Sequence, residues 1–107
     1  MTDVDDLHLI TDDEWSWNWV RPILQQFIDN GYKVTAFHGS AAFVKNNIDL
    51  YLYLFEKIFY IRSPISDIAP TVVHWNDINK FIFKCNTYEQ LMMKCRQKDI
   101  EELLENL

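Results

Sequence analysis

The sequence predicts an α+β domain: an N-terminal helix packed on an antiparallel β-meander of four to six strands, followed by a C-terminal helix or broken helix pair. Three observations predict it. Apolar residues recur at helical spacing over residues 15–30 and again after residue 87. Between residues 32 and 62 the period changes to two. The pairs Gly39-Ser40, Asn46-Asn47 and Glu56-Lys57 then punctuate the alternating runs where hairpin turns belong.

The bulk composition agrees with one compact unit, a single domain over residues 1–107. A chain of 107 residues buries about two thirds of the surface its unfolded form exposes, enough for one core without metal or disulfides. With 49% hydrophobic and 15% aromatic residues it is too apolar to stay disordered, and with only 2 glycines and 3 prolines it is not loop-dominated.

At the first helix two patterns compete, because Trp15, Trp17 and Trp19 alternate as they would on a half-buried strand. Three start signals decide for a helix. Thr11 and Glu14 stand at the N-cap and N3 positions of a capping box, where each side chain satisfies a free backbone N–H. Ile10 and Trp15 are placed for a hydrophobic staple, and Asp12, Asp13 and Glu14 fill the first turn, where the helix dipole favours anions. One stripe holds Trp15, Trp19, Ile23 and Phe27; a second beside it holds Trp17, Val20, Leu24 and Ile28. Asn18, Arg21, Pro22, Gln25 and Asp29 are left for solvent. Pro22 implies either a kink on the polar side or a second helix beginning there. Asn30-Gly31 supplies the C-cap.

Strands are expected over residues 32–38, 41–45, 48–55 and 58–62. In the third, Ile48, Leu50, Leu52 and Leu54 face one way, and Asp49, Tyr51, Tyr53 and Phe55 the other. The Leu face suits the broad helix. Residues 65–69 allow one helical turn before Pro70. Residues 71–75 and 81–85 read as two further strands, or as one strand and a loop. A second capping box, Thr87 to Gln90, opens a helix that buries Leu91, Met92 and Cys95. The stripe Ile100, Leu103, Leu104 and Leu107 is also helical but lies about a third of a turn away from the first, so a bend or break is expected at residues 97–99.

Charge is laid out unevenly. Residues 1–20 carry a net −6, residues 21–98 a net +4 and residues 99–107 a net −4. The acidic N-terminal segment, 1–10, and the acidic helix end, 99–107, are therefore the negative regions. Direct nucleic-acid binding is not expected, because phosphate contacts need Lys and Arg there. No targeting signal or membrane span is read: the first residues are acidic, and residues 48–61 are interrupted by Asp49, Glu56 and Lys57. Cys85 and Cys95 form no disulfide framework and read as buried small hydrophobes in a reducing compartment. The expected setting is cytoplasmic, bacterial or phage-delivered.

Chemistry-bearing arrangements are lacking. His8, His38, His74 and the two cysteines do not stand at metal-ligand spacing, so neither metal nor cofactor is expected. His38-Gly39-Ser40 is a tight β-turn, not a nucleophile elbow with glycines on both sides. With Gly31 and Gly39 alone there is no phosphate-cradling loop. No enzyme is expected.

What remains is surface. Candidate contacts with a partner are Asp5, Asp6, Asp12, Asp13, Glu14 and Trp17 at the N-terminal end, Tyr51 and Tyr53 on the sheet, and Asp99, Glu101, Glu102 and Glu105 at the other end. Against this stands a plainer role: acids complement a helix dipole and aid solubility, and tryptophans fill cores. The sharpest expectation is a small acidic protein that neutralises a basic protein partner by charge complementarity, as an immunity protein (antitoxin) does to a nuclease-type toxin. A phage-encoded inhibitor imitating nucleic-acid charge is a near relative. The second class is a homodimeric secretion-type chaperone or adaptor, with the Ile100–Leu107 stripe as its seam.

Overall fold

The structure, a computed structural model, describes residues 14–37 and 39–107, with side chains from residue 18 onward. The expected caps and staple around Thr11 lie outside the described residues. Helix α1 spans Glu14–Asp29 without interruption, so Pro22 sits inside one helix and starts no second one. The inward face is the expected one: Val20, Ile23, Leu24 and Phe27 are buried, and Trp19 and Ile28 pack against them. Asn18, Arg21, Pro22 and Asp29 are exposed.

The end of α1 is a complete Schellman motif. Gly31 adopts φ +86°, its N–H donates to the Ile28 carbonyl at 3.1 Å, and the Tyr32 N–H reaches back to the Phe27 carbonyl at 3.0 Å. The apolar contact that accompanies such a cap is present as well, with the Tyr32 and Phe27 rings edge to face at 4.9 Å. This cap aims the chain straight into the sheet.

Five strands follow: β1 (Lys33–Phe37), β2 (Ser40–Lys45), β3 (Ile48–Tyr53), β4 (Ile58–Arg62) and β5 (Thr71–His74). All neighbours are antiparallel and the order is sequential, a meander within the expected four to six. The two-residue turn at Asn46-Asn47 is used as expected, with Asn46 at φ +53°. Register puts Val34, Phe43, Leu50, Ile61 and Thr71 in one cross-strand row, and Ala36, Ala41, Leu52, Phe59 and Val73 in the next on the same face. The helices cover this face. At its centre Phe27 lies against Phe43 at 4.2 Å, Phe83 at 5.0 Å and Phe59 at 5.8 Å, ring centroid to centroid.

After β5 the chain does not return as a strand. A four-residue helix α2 (Trp75–Ile78) and a 3-10 turn (Ile82–Lys84) replace the second strand considered for residues 81–85. The reason is spacing: the buried residues are Ile78, Ile82 and Cys85, four and then three apart, which lines one side of a helical path and not one face of a strand. At residues 65–69 there is one turn, with the Ile68 N–H on the Ile65 carbonyl.

Helix α3 spans Tyr88–Glu105 in one piece, so the break expected at residues 97–99 is absent. It contains no Gly or Pro, and at that point Lys98 is held at 2.8 Å by both Asp77 and Glu102. The helix has no need to bend, because its distal apolar stripe does not join the core. At its start Thr87 Oγ1 accepts from the Gln90 N–H, as a capping box requires, but Gln90 Oε1 takes the N–H of Asn86. The β2–β3 turn completes the cap from outside: Asn47 Oδ1 accepts the Tyr88 N–H at 2.7 Å, and Asn47 Nδ2 donates to the Glu89 carboxylate at 3.0 Å. Asn46 Nδ2 donates to the Asn86 carbonyl. One hairpin turn thus fixes the helix to the sheet.

Candidate functional site

Because the helices lie on one side of the meander, the opposite side chains of every strand form a second face that no described element covers. Its central row is Thr35, Ala42, Tyr51, Tyr60 and Val72; its neighbour is Phe37, Ser40, Tyr53, Ile58 and His74. Strand alternation alone places these residues together.

The rings form a connected chain. Phe37 stacks on Tyr51 with centroids 6.1 Å apart, Tyr51 meets Tyr53 at 5.2 Å, and Tyr53 meets Tyr60 edge to face at 5.1 Å. Tyr51 is fixed at both ends, by a 3.0 Å hydrogen bond between its hydroxyl and Ser40 Oγ and by the Arg62 guanidinium 5.3 Å from its ring centroid. Phe37 and Tyr53 remain 45% and 44% exposed, and Val72 52%. Tyr51, Tyr53, Tyr60, Arg62 and Pro70 line a shallow depression of ≈ 150 Å³. Packed side by side yet half open, these rings offer contact area at little cost in side-chain entropy.

Tyr51 and Tyr53 are the sheet residues singled out from sequence. Phe37, Tyr60 and Arg62 are their missed companions. The signal for them was available in the alternation of the neighbouring strands, but it needed the strand register to become a cluster.

The acidic candidates divide. Asp5, Asp6, Asp12 and Asp13 lie outside the described residues; Glu14 and Trp17 are in the first turns of α1. Glu101, Glu102 and Glu105 border a groove of ≈ 440 Å³ between α3 and the segment from Asp77 to Lys84, and they share it with Lys80, Lys84, Lys94 and Lys98. Glu102 is in an ion pair with Lys98, whose ammonium is stabilised first by its hydrogen bond to Asp77 and then by Glu102, raising its pKa. Asp99 lines a smaller depression on the other side of Lys98. The C-terminal acids therefore face lysines of their own chain.

No protein-family model, curated protein or solved structure matches the chain.

The titratable interior is inert in character. Burial pushes the Cys95 thiol from 9.0 to about 11 and also raises Cys85; both thiols are free. Burial, then the nearby Cys85, raises Tyr32 to about 12, and its buried hydroxyl finds no partner among the described residues. Raised thiol pKa values are the reverse of what a nucleophilic cysteine needs. Among the described residues no group of three or more His, Cys, Asp or Glu is placed to hold a metal ion, and no helix is long and apolar enough to cross a membrane.

Proposed function

We propose that this chain is a small acidic binding protein that neutralises a basic protein partner by charge complementarity, most sharply an immunity protein (antitoxin) acting on a nuclease-type toxin. The observation that carries the reading is the open aromatic face of the sheet, in which Phe37, Tyr51, Tyr53 and Tyr60 touch one another and no described element covers them. Tyrosine-rich, half-exposed clusters of this kind supply the short-range part of a protein interface.

The long-range part comes from residues 1–20. Residues 21–107 carry ten Asp/Glu and ten Lys/Arg, so the entire formal charge of −6 belongs to the segment containing Asp5, Asp6, Asp12, Asp13 and Glu14. A nuclease cleft is positive because it must hold phosphates, and a concentrated negative segment speeds encounter with such a cleft. Stacked rings on a sheet also suit nucleic-acid bases. Here the cations on that face are Lys33 and Arg62, with Asp49 paired directly beside Arg62, which favours a protein partner over a polyphosphate chain.

The test is affinity against salt for the basic protein recovered from the native host. Changing Asp12, Asp13 and Glu14 together to Asn and Gln is expected to slow association and flatten the salt dependence. An unchanged on-rate and salt slope removes the charge-complementarity reading.

A further inference from the structure

The hydrogen-bond ladder itself marks out an open edge. β5 is the outermost strand, with β4 on one side and no strand on the other. In an antiparallel pair the bonded residues alternate, and the Trp75 N–H donates to the Lys57 carbonyl at 3.1 Å. By that alternation Val73 and Thr71 bond across to Phe59 and Ile61. The N–H and C=O of Val72 and the N–H of His74 therefore point away from the sheet, and no described residue pairs with them. Unpaired strand backbone of this kind is a template for another extended chain.

This edge lies in an electrostatically biased slot. All four residues of β5 form one wall of a depression of ≈ 170 Å³, and α3 faces them with Lys98, Asp99 and Glu102. Asp77 lines it too, so three carboxylates and one ammonium leave a net −2 inside the slot. Lys98 is shared by Asp77 and Glu102 at 2.8 Å each, whereas Asp99 is exposed and in no ion pair among the described residues. Cys95, also in the slot, feels that excess: burial first and then Asp99 raise its thiol pKa to about 11.

Backbone and charge thus set separate requirements on one occupant. The edge needs an extended chain, and the carboxylates need a cation. On a strand added beside β5, side chains level with Thr71 and Val73 turn to the helix side, toward Asp99 and Glu102. Those level with Val72, itself 52% exposed, turn to the open face beside Tyr60.

We propose that the β5 edge accepts an extended segment of a partner protein by strand addition, with Lys or Arg on its helix-facing side and apolar residues on the other. The site is separate from the aromatic cluster, and its test uses a synthetic peptide, so either reading can fail while the other stands.

The probe is a capped peptide of alternating valine and lysine, titrated into the full chain and followed by amide NMR. The Val72 and His74 amides are expected to shift and to slow in hydrogen exchange, while those of β1, the opposite edge, stay as they were. Affinity is expected to fall with salt, and to be at least about tenfold lower for the same peptide with glutamate in place of lysine. Asp99→Lys, a surface change, is expected to lower affinity for the lysine peptide by a similar factor. Val72→Pro deletes the outward N–H without removing a ladder bond, and is expected to abolish binding while the β3–β4 amides keep their positions. Absence of binding at millimolar peptide, or equal changes at β1, overturns the proposal. So does equal affinity for both peptides, or a lysine peptide indifferent to Asp99→Lys or to Val72→Pro.

Discussion

On one side of the sheet Val34, Phe43, Leu50 and Ile61 stand in a row and are at most 8% exposed; one residue further along each strand Thr35, Ala42, Tyr51 and Tyr60 stand in an equal row on the other side, with no helix over them among the described residues. The backbone hydrogen bonds serve both rows equally. What differs is the covering layer: α1, α2, the 3-10 turn and the first half of α3 all lie on the first side. A meander this short can bury one face and still be stable, because α1 alone contributes Val20, Ile23, Leu24 and Phe27 to the core. The second face is not needed for that core.

The strongest way to break that contrast is on the buried side. Phe43 is fully buried between Phe27 and Phe59, so Phe43→Ala is expected to cost about 3–5 kcal/mol of stability, measured by urea unfolding. A cost near that of a surface change would mean that the core is elsewhere.

A smaller effect is expected where the two layers are tied together. Asn47→Ala removes the acceptor of the Tyr88 N–H and the donor to Glu89, and should cost about 1–2 kcal/mol, a cap's worth, with α3 fraying from its start in hydrogen exchange. The same substitution should bring the Glu89 pKa back up, since the Asn47 hydrogen bond is the leading cause of its lowering. A carboxylate lowered on folding stabilises the fold above its unfolded pKa, and that contribution fades as pH falls through the folded value. Glu89 followed by NMR titration checks this.

At alkaline pH the sign reverses. Cys95 and Tyr32 have folded pKa values raised to about 11 and about 12, from 9.0 and 10.0. Below the unfolded values they titrate in neither state. As pH climbs past 9.0 and then 10.0 the unfolded chain ionises first, so stability is expected to decline, progressively, between pH 9.0 and about 12. Melting temperature against pH reads this out, and a flat profile would show that neither group is shielded. In the native state both thiols should also react slowly with a disulfide reagent near neutrality.

Much of the architecture was legible because each local signal agreed with its neighbours. Gly31 after a helical stripe, Asn46-Asn47 between alternating runs and Thr87 before Leu91 each act where they stand in the sequence. Two elements were not legible. Residues 75–85 hold apolar side chains at every spacing, and the choice between strand and helical path falls to which of them reach the core, Ile78, Ile82 and Cys85. The phase jump in α3 suggested a bend on the premise that every apolar stripe seeks its own core; the structure leaves that stripe outside. The candidate site was half visible. Alternation separated Tyr51 and Tyr53 from the leucines, but bringing Phe37, Tyr60 and Arg62 to them depends on pairings between strands, which no single stretch encodes. Likewise the acids at residues 101–105 count as negative in the sequence and are met by Lys80, Lys84, Lys94 and Lys98 in space.

The most direct measurement pairs stability with binding in a single open-face variant, Tyr53→Ala. Tyr53 is 44% exposed and touches Tyr51 and Tyr60, so its removal should cost no more than about 1 kcal/mol in unfolding while lowering affinity for the basic partner at least about tenfold. If Tyr53→Ala instead unfolds as easily as Phe43→Ala, or binds the partner as tightly as the unaltered chain, the open face is not where this protein meets its partner.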